Sequence, residues 1–354
     1  MLLDHSGHHS TAVATCLGQV PGCRLHIVSN ARWPAVRLSR FAASFRQFSD
    51  TENESAQLEE ILRVSREVKA DVLLPVTEAG IQFTAQNRGT LAGEIKLPPL
   101  PSPEAIETVI NKFSLARWLG QNGFPTPETF LYTSITTAKK DLKQLRFPVL
   151  LKPIVGGNGI GIRRFDQPGE LLAALHSSVP EAGFWILQSY VRGRDVDCSV
   201  LCHDGKILAH TMQTSLHPRR NPFAVDGATR FAPHAAAFAQ VEKTMAAIHW
   251  NGIAHLDMRE DERDGRIHTV DFTVRFWATL LGSLAAGVNF PHLACLSALG
   301  IEFSPPISLP TNYFTASAAL KKLNRLAGCK TGLPYILSDP VPRAMNLFKR
   351  MVPC

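Results

Sequence analysis

Between residues 150 and 165 the chain reads LLKPIVGGNGIGIRRF, and this stretch restricts the fold more than any other. An apolar run with the look of a buried strand ends at Lys152, and Gly156, Gly157, Gly159 and Gly161 follow directly. Without a Cβ in the way, the backbone N–H groups of such a loop can close around an oxyanion, while the lysine supplies charge. No Gly-Lys-Ser/Thr closes the run, so it is not a Walker loop. The spacing G-G-x-G-x-G opens no helix, so it is not a dinucleotide fingerprint either. A glycine hairpin folded over phosphates between two strands fits better than a flexible turn with a surface lysine, because the neighbouring segments agree with it.

Upstream, CRLHIVS (23–29) and ADVLLPV (70–76) read as buried parallel strands, and SAQLEEILRVSREVKA (55–70) carries apolar residues at helical spacing. That is the grammar of a small βαβ domain. The proline-rich KLPPLPSPE (96–104) marks a boundary, after which Asn111 and Lys112 begin a helix that Gly123 can end, with Pro125 and Pro127 preventing its resumption. Downstream, FPVLLKPIV (147–155) and FWILQSYV (184–191) read as strands, with a helix around Leu171 to Leu175 between them. A hairpin is expected around HDGK (203–206), a long helix near Ala235 to Ile248, and a second hairpin joining IAHLDMRE to RIHTVDFTV through EDERDG. At 354 residues, two or three domains are expected.

In the second hairpin, HTVDFTVRFW (268–277) alternates Val270, Phe272, Val274 and Phe276 with Asp271, Thr273 and Arg275, so one face is expected in the core and the other at a site. A tight turn would set Asp257 across from Asp271. Facing carboxylates are unfavourable unless a cation lies between them, and Mg²⁺ commonly bridges one or two carboxylates to nucleotide phosphates. Arg275, on the same face, could grip a phosphoryl group bidentately. Lys112 could approach the phosphates held by Lys152. The bend from Gln188 to Asp195 could offer backbone groups to a purine edge and a carboxylate to ribose hydroxyls.

Other tempting residues are read more plainly. His5, His8 and His9 fall where a first βα loop would lie. Arg219 and Arg220 in HPRRNPF are candidate carboxylate clamps, though exposed arginine pairs are mostly just solvated. His255 could face the site beside Asp257, although a hydrogen-bonded structural histidine is the more common outcome, and Cys198 and Cys202 are expected to be core. The seven cysteines show no C-x-x-C pair, which implies reduced thiols rather than disulfides or zinc. The formal charge of +7 invites a nucleic-acid reading, but the basic tail lacks interleaved aromatic stacking residues and anionic small molecules explain the charge equally well; a nucleic-acid or acidic-surface binder using that tail is a further alternative. No apolar run is long enough to span a bilayer and no signal peptide is evident, so a cytoplasmic location and no membrane partner are expected.

The order of these parts resembles the ATP-grasp superfamily, in its branch of carboxylate–amine ligases with an ATP-binding domain like that of carbamoyl-phosphate synthase. The resemblance implies an α/β fold. Residues 1–103 would form the preceding parallel α/β domain, and residues 104–300 a two-lobed ATP-grasp domain with antiparallel sheets. In that domain the lid lobe would span about 113–190 and the metal lobe about 191–300, with 301–354 a basic, partly helical appendage. It further implies that Lys112 and Lys152 contact ATP phosphates under the loop Gly156, Gly157, Gly159 and Gly161. Gln188, Tyr190 and Val191 would border adenine, and Asp195 would take the place of the ribose-binding acid. Asp257, Asp271 and Thr273 would stand at the Mg²⁺ (or Mn²⁺) positions, and Arg275 would bind phosphate or substrate. Where relatives read E-x-N-P-R-F, this chain reads D-F-T-V-R-F: Asp271 keeps a carboxylate, Thr273 offers a poorer ligand than an amide, and Val274 removes a rigid turn. The implied reaction is ATP-dependent activation of a carboxylate as an acyl phosphate and its capture by an amine, with release of ADP and phosphate. A catalytically weakened nucleotide-binding subunit is the alternative to which Thr273 and Val274 point. A homodimer is compatible with the family.

Overall fold

The computed structural model describes all residues except 6–8, 49–52, 158, 178–181, 218–222, 224–226, 322–325, 343 and 346–354. His8, Arg219 and Arg220 therefore lie outside the described residues.

Three sheets organise the chain. The first is parallel, in the order β3 (Ala42–Gln47), β2 (Leu25–Ser29), β1 (Leu2–Asp4), β4 (Leu74–Pro75). The expected helix spans Glu54–Val68, with the Asn53 side chain accepting from the Ala56 N–H at its start. Strand β1 lies in the middle of this sheet and is buried throughout, which the opening residues MLLD did not announce. The second sheet is antiparallel, in the order β5 (Thr129–Leu131), β8 (Trp185–Ser189), β6 (Val149–Pro153), β7 (Arg163–Phe165). The glycine loop joins its strands β6 and β7.

The third and largest sheet runs β13 (Ile267–Thr273), β12 (Gly252–Asp261), β9 (Gly193–His203), β10 (Lys206–Ser215), β11 (Ala228–Phe231), β14 (Thr311–Phe314), β15 (Lys330–Thr331). Asp204 and Gly205 make the β9–β10 turn with φ of 47° and 74°, the left-handed conformations that Asp-Gly tolerates. The closing segment, expected to be partly helical, has helices Ala316–Lys321 and Leu333–Ser338 but also contributes β14 and β15 to this sheet. It returns to the front domain as well, where Asp339 accepts from the Ser39 hydroxyl at 2.5 Å and the Arg40 N–H at 3.0 Å.

One face of the large sheet is covered by the helix Ala235–Ala247 and by Trp250, whose ring meets Phe272 edge-on at 4.7 Å. Each such fully buried side chain contributes about 1.5–3 kcal/mol of transfer free energy. The other face packs with Leu2, Val13 and Leu74 of the front domain and with Trp277 and Phe290 in one continuous core. The proline linker lies directly against β12, and a Cβ on Gly252 (φ +88°) would fall 2.6 Å from the Pro99 carbonyl oxygen. This close contact fixes the front domain relative to the large sheet, and so fixes one wall of the site.

Candidate functional site

The candidate site is a cavity of about 220 Å³ between the second sheet and the large sheet. It draws together the residues expected around nucleotide and metal from both: all line it except Gly156 and Gly161, and the Gly156 carbonyl oxygen accepts from Lys112 Nζ at 2.6 Å. Asn111 caps the helix Lys112–Gln121 by accepting from the Phe113 and Ser114 N–H groups. That cap sets Lys112 in the first turn, aimed under the loop. Gly159 has φ +71°, and a Cβ there would stand 2.1 Å from the Phe223 carbonyl oxygen. Only glycine lets the loop lie down on its neighbour.

Lys152, at the end of β6, is 4% exposed, and burial lowers its pKa to about 8 against the opposing pull of Asp271. Its Nζ donates to the Val270 carbonyl oxygen at 3.3 Å. Val270 corrects the sequence reading. Asp257 pairs with Asp271 but Met258 pairs with Thr269, so Val270 is the extra residue of a β-bulge. The bulge reverses the parity of the strand. Ile267 and Thr269 are buried before it and Phe272, Val274 and Phe276 after it, while Val270 faces the cavity with its carbonyl directed to Lys152.

The expected opposition of Asp257 and Asp271 is present in the register of β12 and β13. Asp271 accepts from its own neighbour Phe272 N–H at 3.0 Å and pairs with Lys112 at 3.1 Å. Asp257 Oδ1 lies 3.3 Å from His255 Nε2. Two carboxylates opposite each other on a cavity floor suit a hard dication with oxygen ligands, so these residues fit Mg²⁺. Thr273, opposite His255, lines the same floor.

Arg275 reaches the cavity from beyond the end of β13. Its Nη1 donates to the Phe276 carbonyl oxygen at 2.8 Å and lies 2.7 Å from His9 Nε2, on the front domain's first loop. Burial lowers the pKa of Arg275 and raises that of Glu78, which faces Arg275, Lys112 and Asp271 from the start of the helix Glu78–Gln86. The front domain therefore supplies two polar groups to this end of the site.

At the far end stand Gln188, Tyr190, Val191 and Asp195. The Gln188 amide donates to Thr129 Oγ1 at 2.9 Å. Asp195 is not left open for a ligand: Arg259 forms a salt bridge with it and also donates to the carbonyl oxygens of Val191 (2.6 Å) and Gly193 (2.7 Å). The Arg259 guanidinium stacks 4.8 Å from the Tyr190 ring. Arg259 pairs with Asp195 across β12 and β9, a long-range register that the sequence does not display.

Asp197, Gln213 and Thr279, which the sequence did not single out, line the cavity, and so does His255, beside Asp257 and hydrogen-bonded to Ser199. Thr279 Oγ1 donates to Gln213 Oε1 at 2.8 Å, and Gln213 Nε2 donates to Asp197 Oδ2 at 3.1 Å. Burial, reinforced by Asp257, lifts the Asp197 carboxyl to about 7. Burial opposes charge on His255, but its hydrogen bond to Asp257 and the carboxylates of Asp257 and Asp197 outweigh that and raise its pKa. The D-x-D alternation at Asp195 and Asp197 was the one available signal. Cys198 and Cys202 are core, as expected.

A glycine loop and buried lysines stand over a carboxylate floor, between a small antiparallel sheet and a larger one. Residues 109–257 match the family described as the ATP-grasp domain. Over that stretch the chain is similar to ATP-grasp domains. D-alanine–D-alanine ligase of Corynebacterium urealyticum is 35% identical over 148 residues, which cover 40% of this chain and 39% of that protein. The first curated relatives are matched over only 11% to 49% of their own length. Among solved structures, N5-carboxyaminoimidazole synthetase from Staphylococcus aureus complexed with ADP superposes with a TM-score of 0.68 at 17% identity, covering 88% of this chain and 80% of that one. L-amino acid ligase from Bacillus licheniformis gives 0.62 at 18% identity, covering 87% and 74%. At these identities the likeness shows the fold. Among the described residues, no helix is long and apolar enough to cross a membrane.

Proposed function

We propose that this protein is a Mg²⁺-dependent ligase that phosphorylates a small-molecule carboxylate with ATP and transfers the acyl group to an amine, releasing ADP and phosphate. The observation that carries the reading is the convergence of Lys112, Lys152, Asp257, Asp271 and Arg275 on one cavity beneath a glycine loop. Ligases that join a carboxylate to an amine recur among the superfamily relatives, D-alanine–D-alanine ligase and L-amino acid ligase by name.

In this reading the adenine lies against Gln188, Tyr190 and Val191, and the phosphates extend under the loop toward Lys112 and Lys152. Bound Mg²⁺, held by Asp257 and Asp271 with Thr273 beside them, would neutralise charge on the phosphates. Lys112 now pairs with Asp271 and would exchange that partner for phosphate oxygens. The substrate carboxylate attacks the γ-phosphorus and ADP leaves. The amine then attacks the acyl carbon, losing a proton as phosphate departs. Arg275, fixed by His9 and its own backbone contact, holds the carboxylate or the transferring phosphoryl group at the front-domain wall. Catalysis is positioning plus charge compensation and needs no covalent enzyme intermediate.

Calorimetric titration of ATP with and without Mg²⁺, repeated on Asp271→Ala, tests the nucleotide half of the reading. Mg²⁺-dependent binding that collapses in the variant is the expected result, followed by a screen of carboxylate and amine pairs for ADP release. Absence of ATP binding would refute the reading. Binding indifferent to Mg²⁺ and to the substitution, with no ADP release, would favour the weakened, nucleotide-binding relative.

A further inference from the structure

The ligands assigned above leave the other flank of Asp257 without a role. There, Asp197 from β9 and His255 and Asp257 from β12 each present a ligand atom, all within 4.8 Å of one another. We propose that Asp197, His255 and Asp257 form a second divalent-cation site, one that takes a first-row transition ion through two carboxylates and an imidazole nitrogen. Asp257 is then common to this site and to its pairing with Asp271. The proposal goes beyond the ligase reading and does not depend on the identity of the substrates.

One ligand pair already stands near coordination spacing. His255 Nε2 and Asp257 Oδ1 are 3.3 Å apart. Neighbouring ligands of an ion with bonds of about 2.0–2.2 Å stand roughly 3 Å apart, so a small shift of either group admits the ion. The ligands are also oriented from behind. His255 Nδ1 is 2.9 Å from the hydroxyl of fully buried Ser199, which leaves Nε2 as the atom turned to the cavity. The ring plane is fixed by Trp277, stacked at 5.5 Å and 13°. Asp197 is held by Gln213, and Gln213 by Thr279. Metal-ligating histidines and carboxylates are ordinarily set by such outer partners.

An imidazole in the set separates this site from the oxygen-only floor. Mg²⁺ favours oxygen ligands, whereas imidazole suits later transition ions, and Mn²⁺ accepts both carboxylate and nitrogen. Binding requires neutral Nε2, so any proton there is released as the ion enters. The hairpin cluster Asp261, Asp264 and His268 also has metal-like spacing, but Arg263 already takes both oxygens of Asp261.

Electron paramagnetic resonance of the full chain titrated with Mn²⁺, without nucleotide, tests the proposal. Binding with a nitrogen coupling from imidazole is expected. His255→Gln should abolish the coupling and weaken Mn²⁺ at least about 10-fold, and Ser199→Ala should keep the coupling but weaken binding about 10-fold. Thermal melts show whether each variant is folded. A Mn²⁺ signal without nitrogen coupling overturns the site, as does affinity that survives His255→Gln yet disappears in Asp271→Asn, which would place the ion between Asp257 and Asp271. A requirement for nucleotide before any Mn²⁺ binds overturns it too. If no carboxylate and amine pair supports ADP release while the nitrogen-coupled signal is present, the ligase reading fails and the cation site stands.

Discussion

Replacing Lys152 with methionine should make the nucleotide-free protein more stable while removing much of its affinity for ATP. The lysine is 4% exposed, and burial lowers its pKa from 10.5 to about 8. At 1.36 kcal/mol per pH unit, holding this ammonium in the folded state costs about 3 kcal/mol wherever it is protonated in both folded and unfolded chains. Methionine keeps an unbranched side chain, one atom shorter, without the charge. Removing the lysine strands neither neighbouring carboxylate, because Asp271 keeps Lys112 and Asp257 keeps His255. The sign follows from linkage. The folded pKa of this base is depressed, so the penalty is fully present below about pH 8, shrinks as pH rises, and vanishes near 10.5, where the unfolded lysine has also lost its proton. Urea unfolding of wild type and Lys152→Met without nucleotide should therefore show the variant ahead by up to about 3 kcal/mol at pH 7, with the gap closing toward pH 10.5. Loss of a charged hydrogen bond to phosphate should weaken ATP by about 10- to 100-fold in calorimetry. A variant less stable than wild type at pH 7, or a gap unchanged across that pH range, would refute the argument.

Gly159→Ala should weaken ATP about 10-fold by calorimetry and cost about 1 kcal/mol or more in thermal unfolding, because φ is +71° and the new Cβ would strike the Phe223 carbonyl oxygen. Arg259→Ala should destabilise the protein by about 2 kcal/mol in urea by leaving Asp195 without its cation. Arg259→Lys should recover little of that, since a single ammonium cannot also reach the carbonyl oxygens of Val191 and Gly193. In an ADP-release assay with a productive substrate pair, Arg275→Lys should lower kcat about 100-fold and shift the calorimetric Kd for ATP less than about threefold, as expected of a group acting on the transferring charge.

The residues that the sequence made legible are those whose chemistry demands a residue type at a strand end or in a turn. A lysine before a glycine loop, an Asn-Lys helix start and two aspartates flanking a Gly-containing turn are local patterns, and the cavity gathers all of them. What stayed hidden depends on pairing between distant strands. The bulge at Val270 inserts one residue and inverts the inside-outside alternation of β13, and no residue near it signals the inversion. Arg259 reaches Asp195 only because β12 lies beside β9 in that register, so the acid expected to meet ribose arrives already neutralised. A ribose at this end would have to compete with a guanidinium for Asp195 or bind beside the pair. Asp197 escaped notice for the same reason: its partners Gln213 on β10 and His255 on β12 come from both sides of β9. Those two flanking strands bring Asp197 beside His255 and Asp257, the set proposed above to hold a cation. A substitution on β10 or after β13, such as Gln213→Ala or Thr279→Val, should therefore perturb cation binding more than its distance from Asp257 suggests, because each link in that hydrogen-bonded chain fixes the next.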